Sequence, residues 1–195
     1  DLDKTVMDFV HKYDTGRVLR HMGLVGEGQI LEVKNESGRP NLYYQWLACL
    51  MRVVKPKQVV ELGAAAGIST IMMATELDKD AKLYSVDNDP ELAWKWMDRE
   101  YPQVDKLMAD TRELQIWGDR PLGDTDVWFF DSLHTQDQLE AELKLYTPYF
   151  KKGSILVFDD IHMNPGMEQV WNDLPYDKQD ISNPCHWSGF GVSIV

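Results

Sequence analysis

"VVELGAAAGIST" (59–70) decides how this chain is read. Two β-branched residues and an acid lead towards Gly63, and Ala64, Ala65 and Ala66 separate it from Gly67. The alanines carry no chemistry of their own, whereas the glycines offer backbone freedom and open space. The apolar run before the turn and "STIMMATEL" (69–77) after it predict a strand that bends tightly into a helix. In open α/β sheets such bends, beyond the carboxyl ends of the strands, are where ligands bind. The turn is therefore expected to let something press close to the main chain, with free N–H groups at the helix start.

The rest of the chain repeats this alternation. Strands are predicted at "QVVEL" (58–62), "KLYSVD" (82–87), "VDKLMAD" (104–110), "DVWFFD" (126–131) and "SILVFDD" (154–160). These are mostly continuous apolar runs, as parallel strands buried on both faces require. Helical spacing runs through "PNLYYQWLACLMRVV" (40–54), where Leu42, Trp46 and Leu50 share a stripe. It recurs in "PELAWKWMDREY" (90–101), with Pro90 at a helix start, and in "TQDQLEAELKLYTPYF" (135–150), with a stop near Gly153. Gly189 to Val195 reads as a final antiparallel edge strand. Strand–helix–strand repetition gives an α/β fold with a parallel sheet in one domain, residues 41–195, behind a helical and loop lead-in at 1–40.

Composition narrows the function. With 195 residues, 44% of them hydrophobic and 11% aromatic, the chain can bury one sizeable core. A formal net charge of -12 argues against a protein that coats nucleic acid, since phosphates need clustered Lys and Arg. No run of about 18 apolar residues exists to span a membrane. The start, "DLDKTVMDFV" (1–10), lacks a basic flank and a long apolar stretch, so no signal peptide is expected there. Cys49 and Cys185 cannot build a disulfide framework and are expected to be reduced thiols in a cytoplasmic protein.

The turn at 63–67 is not a G-x-G-x-x-G dinucleotide loop, because its second glycine arrives only at 67, and no Walker Lys follows. Glu61, expected at the mouth of the turn, would favour a ligand with a positive amino or sulfonium group. Here the sequence resembles the class I S-adenosylmethionine-dependent methyltransferases, whose first motif is an acid followed by Gly-x-x-x-Gly, as in Glu61, Gly63 and Gly67. Their second motif is an acid closing strand two, as in Asp87. The resemblance implies a Rossmann-like, mostly parallel seven-stranded sheet with helices on both faces. It also implies that Gly63, Ala64 and Gly67 line the methionine part of the cofactor, with Ser69 near its carboxylate. Asp87 would take the ribose hydroxyls, for which two acceptor oxygens are suited, and Asp110 would read the adenine ring.

"FFDSLH" (129–134) and "VFDDIH" (157–162) form a second constellation. Each apolar strand ends in Asp, so Asp131, Asp159 and Asp160 fall on one rim of the sheet. Converging carboxylates repel unless something positive sits among them, and a hard divalent cation, magnesium first, is the economical answer. Zinc is less well served without a Cys/His cluster, although His134 and His162 keep it open. The arrangement resembles the cation-dependent O-methyltransferases, both the catechol O-methyltransferase group and the bacterial enzymes that tailor sugars and antibiotics, which share "D-x-x-H" and "F-D-D". That resemblance implies a metal held by Asp131, Asp159 and Asp160, with Asp131 counted among the cofactor residues too. Where the catechol enzymes carry a Lys three residues after the first metal acid, this chain has His134. The general-base role passes to it, its unperturbed pKa of about 6.5 being suitable.

The expected activity is S-adenosylmethionine- and magnesium-dependent methylation of a small-molecule hydroxyl. Catechol, flavonoid, sugar and antibiotic acceptors all stay open. Neither nucleic acid nor membrane is an expected partner, and a homodimer is compatible with this reading. A nucleic-acid methyltransferase would show Asn or Asp followed by Pro-Pro and an aromatic after strand four, where this chain has "FFDSLH". The alternative is a non-catalytic cofactor-binding or protein-interaction module, against which the intact acids at 61, 87, 131, 159 and 160 argue. Trp46, Trp171 and Trp187 are candidate pocket walls, with core packing the expected fate of each.

Overall fold

The computed structural model describes residues 4–6, 42–97 and 99–195. The predicted lead-in at 1–40 therefore lies outside the described residues except for 4–6, a helical piece whose Val6 is fully buried. In chain order the elements are α1 (Tyr43–Val54), β1 (Gln58–Leu62), α2 (Ile68–Glu76), β2 (Lys82–Asp87), β3 (Val104–Met108) and β4 (Val127–Phe130). There follow α3 (Gln136–Tyr146), β5 (Ile155–Asp159), α4 (Pro165–Asp173), β6 (Asp177–Asp180), the short α5 (Ser182–Cys185) and β7 (Phe190–Ile194). The seven strands make one sheet in the order β3-β2-β1-β4-β5-β7-β6. β1 to β5 pair in parallel, and β7 runs antiparallel to both its neighbours.

Alternation along the strands explains why the runs are apolar throughout. Val59, Phe129 and Val157 pack on one face with α1 and α2, while Val60, Trp128, Phe130, Leu156 and Phe158 pack on the other with α3 and α4. Both faces are covered, so successive side chains are buried whichever way they point. The helix starts are chemically marked. Thr135 Oγ1 accepts the Gln138 N–H at 3.4 Å before α3, and Asn164 Oδ1 accepts the Met167 N–H at 3.1 Å before α4, where Pro165 opens the helix. None of the helices among the described residues is long and apolar enough to cross a membrane.

Four expectations are corrected. The helix predicted at 90–101 does not form: residues 90–96 are turns, and Trp94 sits at φ 55. Its backbone is taken up elsewhere, since the Trp94 and Trp96 N–H groups donate to the Ala65 and Ala66 carbonyls at 2.8 and 3.0 Å. Helix α3 ends at Tyr146, and Pro148 follows in a 3-10 turn, Thr147–Tyr149, well short of Gly153. The third strand stops at Met108 rather than 110. The last strand is antiparallel as expected but not at the edge; β6, "DKQD", takes the edge, and its four exposed polar residues suit that position.

This order puts the functional rim at one place. From the central β1 the chain leaves for β2 and β3 on one side, then returns to β4 on the other. The loops after β1 and β4 are therefore neighbours, and their crevice is the switch point where α/β sheets bind ligands.

Candidate functional site

The turn after β1 is pressed against the protein's own backbone. Gly63 has φ +94, and a Cβ there would lie 2.0 Å from the Asp131 carbonyl oxygen and 2.7 Å from the Ser132 Cα. The main chain crosses between strands here: the Gly63 N–H donates to the Val86 carbonyl and the Asp131 N–H to the Leu62 carbonyl, both at 2.9 Å. Gly67, at φ +91, packs on the 94–97 turn, where a Cβ would meet Met97 Cγ and Trp94 Cα at 3.1 Å. Ala65 also has positive φ, at 43, a strained value for a residue with a Cβ.

Glu61 lies beneath this turn rather than at its mouth. It is fully buried, and its carboxylate accepts the hydroxyls of Ser69, Thr70 and Ser85, each at 2.6 Å. Burial pushes its pKa up, and the three hydroxyls oppose the shift. Glu61 lines neither of the cavities described next, so the expected counter-charge to a ligand becomes an internal clamp joining β1, α2 and β2. Gly67 lines neither cavity as well.

Among the described residues, two cavities open on the rim. The larger, about 410 Å³, is lined by Gly63, Ala65, Asp87, Asp110, Asp131 and Ser132 among others. The smaller, about 250 Å³, is lined by Tyr43, Ala64, Ser69, Asp159, Asp160 and His186 among others. Ala65, Asp131 and His134 line both, so the two spaces adjoin at these residues. Asp87 Oδ2 holds the turn by accepting the Ala64 and Ala65 N–H groups at 2.9 and 2.8 Å. Helix α2 begins with no side-chain cap, which leaves its first-turn amides beside the smaller cavity. The Asp110 carboxylate is gripped by Arg112, with Nη2 to Oδ2 at 2.6 Å and Nε to Oδ1 at 2.9 Å, and this pairing lowers its pKa. Behind that wall, buried Glu142 on α3 accepts from Thr111, Ser132 (2.6 Å) and Gln138 (2.8 Å), all three of which line the larger cavity.

The predicted acids do converge, and two imidazoles join them. His134 Nε2 lies 3.2 Å from Asp131 Oδ1, while its Nδ1 lies 2.7 Å from Asp160 Oδ2. His186 Nδ1 lies 2.6 Å from Asp159 Oδ1 and 3.7 Å from Asp160 Oδ1. The Ser188 hydroxyl donates to Asp160, and Asp160 itself adopts φ 57. Burial, then the Asp159 charge, pushes Asp131 well above its ordinary pKa; burial likewise raises Asp159 against the pull of His186. For Asp160 burial is outweighed by His134, Ser188 and His186, and its carboxyl stays below the ordinary value. For His134 burial is outweighed by Asp131 and Asp160, which push the imidazole up to about 10. Both of its nitrogens face carboxylates, so in this arrangement the ring is an internal counter-ion and has no lone pair with which to take a proton.

His162 belongs elsewhere, with Nε2 2.7 Å from Asp180 Oδ2 and Nδ1 3.5 Å from Glu168 Oε1. Sequence reasoning missed His186. It follows Asp159 by 27 residues with no motif to join them, and the only signal was a His flanked by Cys185, Trp187 and Gly189 near the terminus. Three acidic side chains and two imidazole rings thus meet at one place on the rim. The oxygen and nitrogen donors fall into two groups, Asp131–His134–Asp160 and Asp159–Asp160–His186, each with ligand atoms within 4.8 Å of one another. This donor set fits a divalent cation. Trp46 and Trp171 are core residues, whereas Trp187 is 63% exposed next to His186.

The comparisons bear on the family and the fold. Residues 60–161 match a family model described as a methyltransferase domain. A provisionally named caffeoyl-CoA O-methyltransferase from Staphylococcus aureus superposes with TM-score 0.67 at 16% identity, covering 98% of each chain. A provisionally named O-methyltransferase from Klebsiella pneumoniae gives TM-score 0.61 at 21% identity, over 99% of this chain and 95% of that one. Cofactor-bound Rv0187 from MTB gives TM-score 0.70 at 17% identity, over 97% and 95%. No curated protein matches the chain in sequence. With more than half its length matched by that model and nearly its whole length superposing on these structures, the chain belongs to the methyltransferase domain family, on the fold of the class I S-adenosylmethionine-dependent methyltransferases.

Proposed function

We propose that this chain transfers the methyl group of S-adenosylmethionine to a hydroxyl of a small molecule with the help of a divalent cation. The observation that carries the reading is the meeting of Asp131, Asp159 and Asp160 with His134 where the two cavities adjoin. The names of the Staphylococcus and Klebsiella neighbours support transfer to oxygen.

In this reading Asp87, Asp110, Thr111 and Ser132 would hold the nucleoside part of the cofactor in the larger cavity. Ala64, Ala65, Ser69 and the open start of α2 would hold its amino-acid part, the free amides suiting a carboxylate. Bound there, the sulfonium supplies an electrophilic methyl carbon. A cation at Asp131, Asp159 and Asp160 would supply acidity and orientation to the acceptor oxygen. The chain's own contribution is alignment: strand ends fix the reacting groups. His134 lines both cavities and is one-third exposed, so it is the group placed to handle the hydroxyl proton. It serves as a base only when Asp131 and Asp160 are neutralised from elsewhere, which returns the ring towards the ordinary imidazole range.

Calorimetry with S-adenosylmethionine and with magnesium, each alone and both together, tests the reading. Saturable binding of both is expected, the first weakened by Asp87→Ala and the second by Asp160→Ala. Absence of either binding event would contradict it.

A further inference from the structure

The C-terminal loop bears on the site in a way the rim acids alone do not. Residues 186–189 are fastened to 160–162 by backbone bonds: Asp160 N–H to Gly189 O and His162 N–H to Ser188 O, both 2.8 Å, with Gly189 N–H to His186 O at 3.1 Å closing the loop. The approach is so close that a Cβ at Gly189 would lie 2.5 Å from the His162 nitrogen. His186 is thereby held beside Asp159 and Asp160, its side chain only 10% exposed, with the Tyr43 ring 4.7 Å from its own. Unlike His134, it has a single close carboxylate contact, at Nδ1, and its ring lines the smaller cavity.

We infer that His186 is a nitrogen ligand for the cation at Asp159 and Asp160, so that the site prefers a first-row transition cation to magnesium. The inference rests on the metal reading above and deepens it. Magnesium takes oxygen ligands and keeps its waters, whereas imidazole suits manganese-to-zinc chemistry. An imidazole fixed within 4.8 Å of two carboxylate oxygens, and clamped there by the 186–189 loop, is a donor set suited to the second kind.

The test uses the full chain, stripped of metal and loaded with Mn²⁺, and reads ¹⁴N coupling to the ion by pulsed electron paramagnetic resonance. Directly bound nitrogen is expected in the parent and in His134→Gln, and its loss in His186→Gln. The glutamine keeps a hydrogen-bond donor towards Asp159 and fills similar space without an imidazole nitrogen. Calorimetry on the same proteins should show Co²⁺ affinity falling tenfold or more in His186→Gln, while Mg²⁺ affinity changes less than twofold. Bound Mn²⁺ without ¹⁴N coupling in the parent would overturn the inference alone, leaving an oxygen-only metal site. Coupling that survives in His186→Gln would overturn it too. No binding of Mn²⁺, Co²⁺ or Mg²⁺ to the parent would instead sink the metal reading on which it rests.

Discussion

A Cβ on Gly63 would stand 2.0 Å from the carbonyl oxygen of Asp131. The space beside the glycine is thus taken by the neighbouring loop, which carries a candidate metal ligand. Gly63→Ala should cost on the order of 3 kcal/mol, combining a positive-φ strain with an overlap that backbone cannot rotate away from. A larger residue such as Val should do worse, so loss of cofactor binding in that variant would report local unfolding. Chemical denaturation of Gly63→Ala checks this; a loss under about 1 kcal/mol would mean the two loops separate freely.

Glu61→Gln should destabilise the fold by roughly 1–3 kcal/mol, because an amide NH₂ would confront hydroxyls that now donate to a carboxylate. The same variant should leave the cavity walls unchanged, since Glu61 lines neither cavity. Unfolding curves and cofactor calorimetry on one preparation separate the two effects. A large affinity loss without a stability loss would return Glu61 to the ligand site.

Asp87 faces the larger cavity and also holds the turn through the Ala64 and Ala65 amides. Asp87→Ala should weaken S-adenosylmethionine binding by roughly 1–3 kcal/mol, the scale of a charged hydrogen-bond partner. Calorimetry checks the figure, and unchanged affinity would remove Asp87 from the cofactor site.

The counter-ion role of His134 predicts a pH dependence. Its folded pKa is raised from 6.5 to about 10, so its contribution to stability is complete below the unfolded pKa and fades as pH rises through the folded one. In chelator, the melting temperature of the parent should therefore fall more steeply from about pH 6 to about pH 10 than that of His134→Gln, which has no such charge to lose. Parallel curves for the two proteins would show that the ring is not charged against Asp131 and Asp160.

Much of this was legible in the sequence because β2, β4 and β5 are largely apolar runs that end at, or just before, an acid. Such strands place Asp87, Asp131 and Asp159 on one rim whatever the helices do between them. The failures have tertiary causes. Residues 90–101 carry helical spacing, but the Ala65 and Ala66 carbonyls capture the amides of Trp94 and Trp96, and no local pattern announces that competition. Glu61 looked like a ligand-facing acid because a sequence does not say that Ser69, Thr70 and Ser85 will surround it. His186 was invisible because β7 enters the sheet beside β5, carrying the loop before it to the rim from the far end of the chain. His162, two residues after Asp160, kept zinc open in the sequence, yet its ring pairs with Asp180 at 2.7 Å.

Cation-dependent transfer to oxygen is the central claim, and methyl transfer from labelled S-adenosylmethionine tests it most directly. The assay runs across hydroxyl acceptors of the catechol, flavonoid, sugar and antibiotic kinds, with and without excess chelator, for the parent and Asp160→Ala. The account predicts an O-methylated product from the parent, loss of transfer in chelator, recovery on adding a divalent cation, and no recovery in Asp160→Ala. Transfer that continues undiminished in excess chelator, or a methyl group found on nitrogen or carbon, would contradict it.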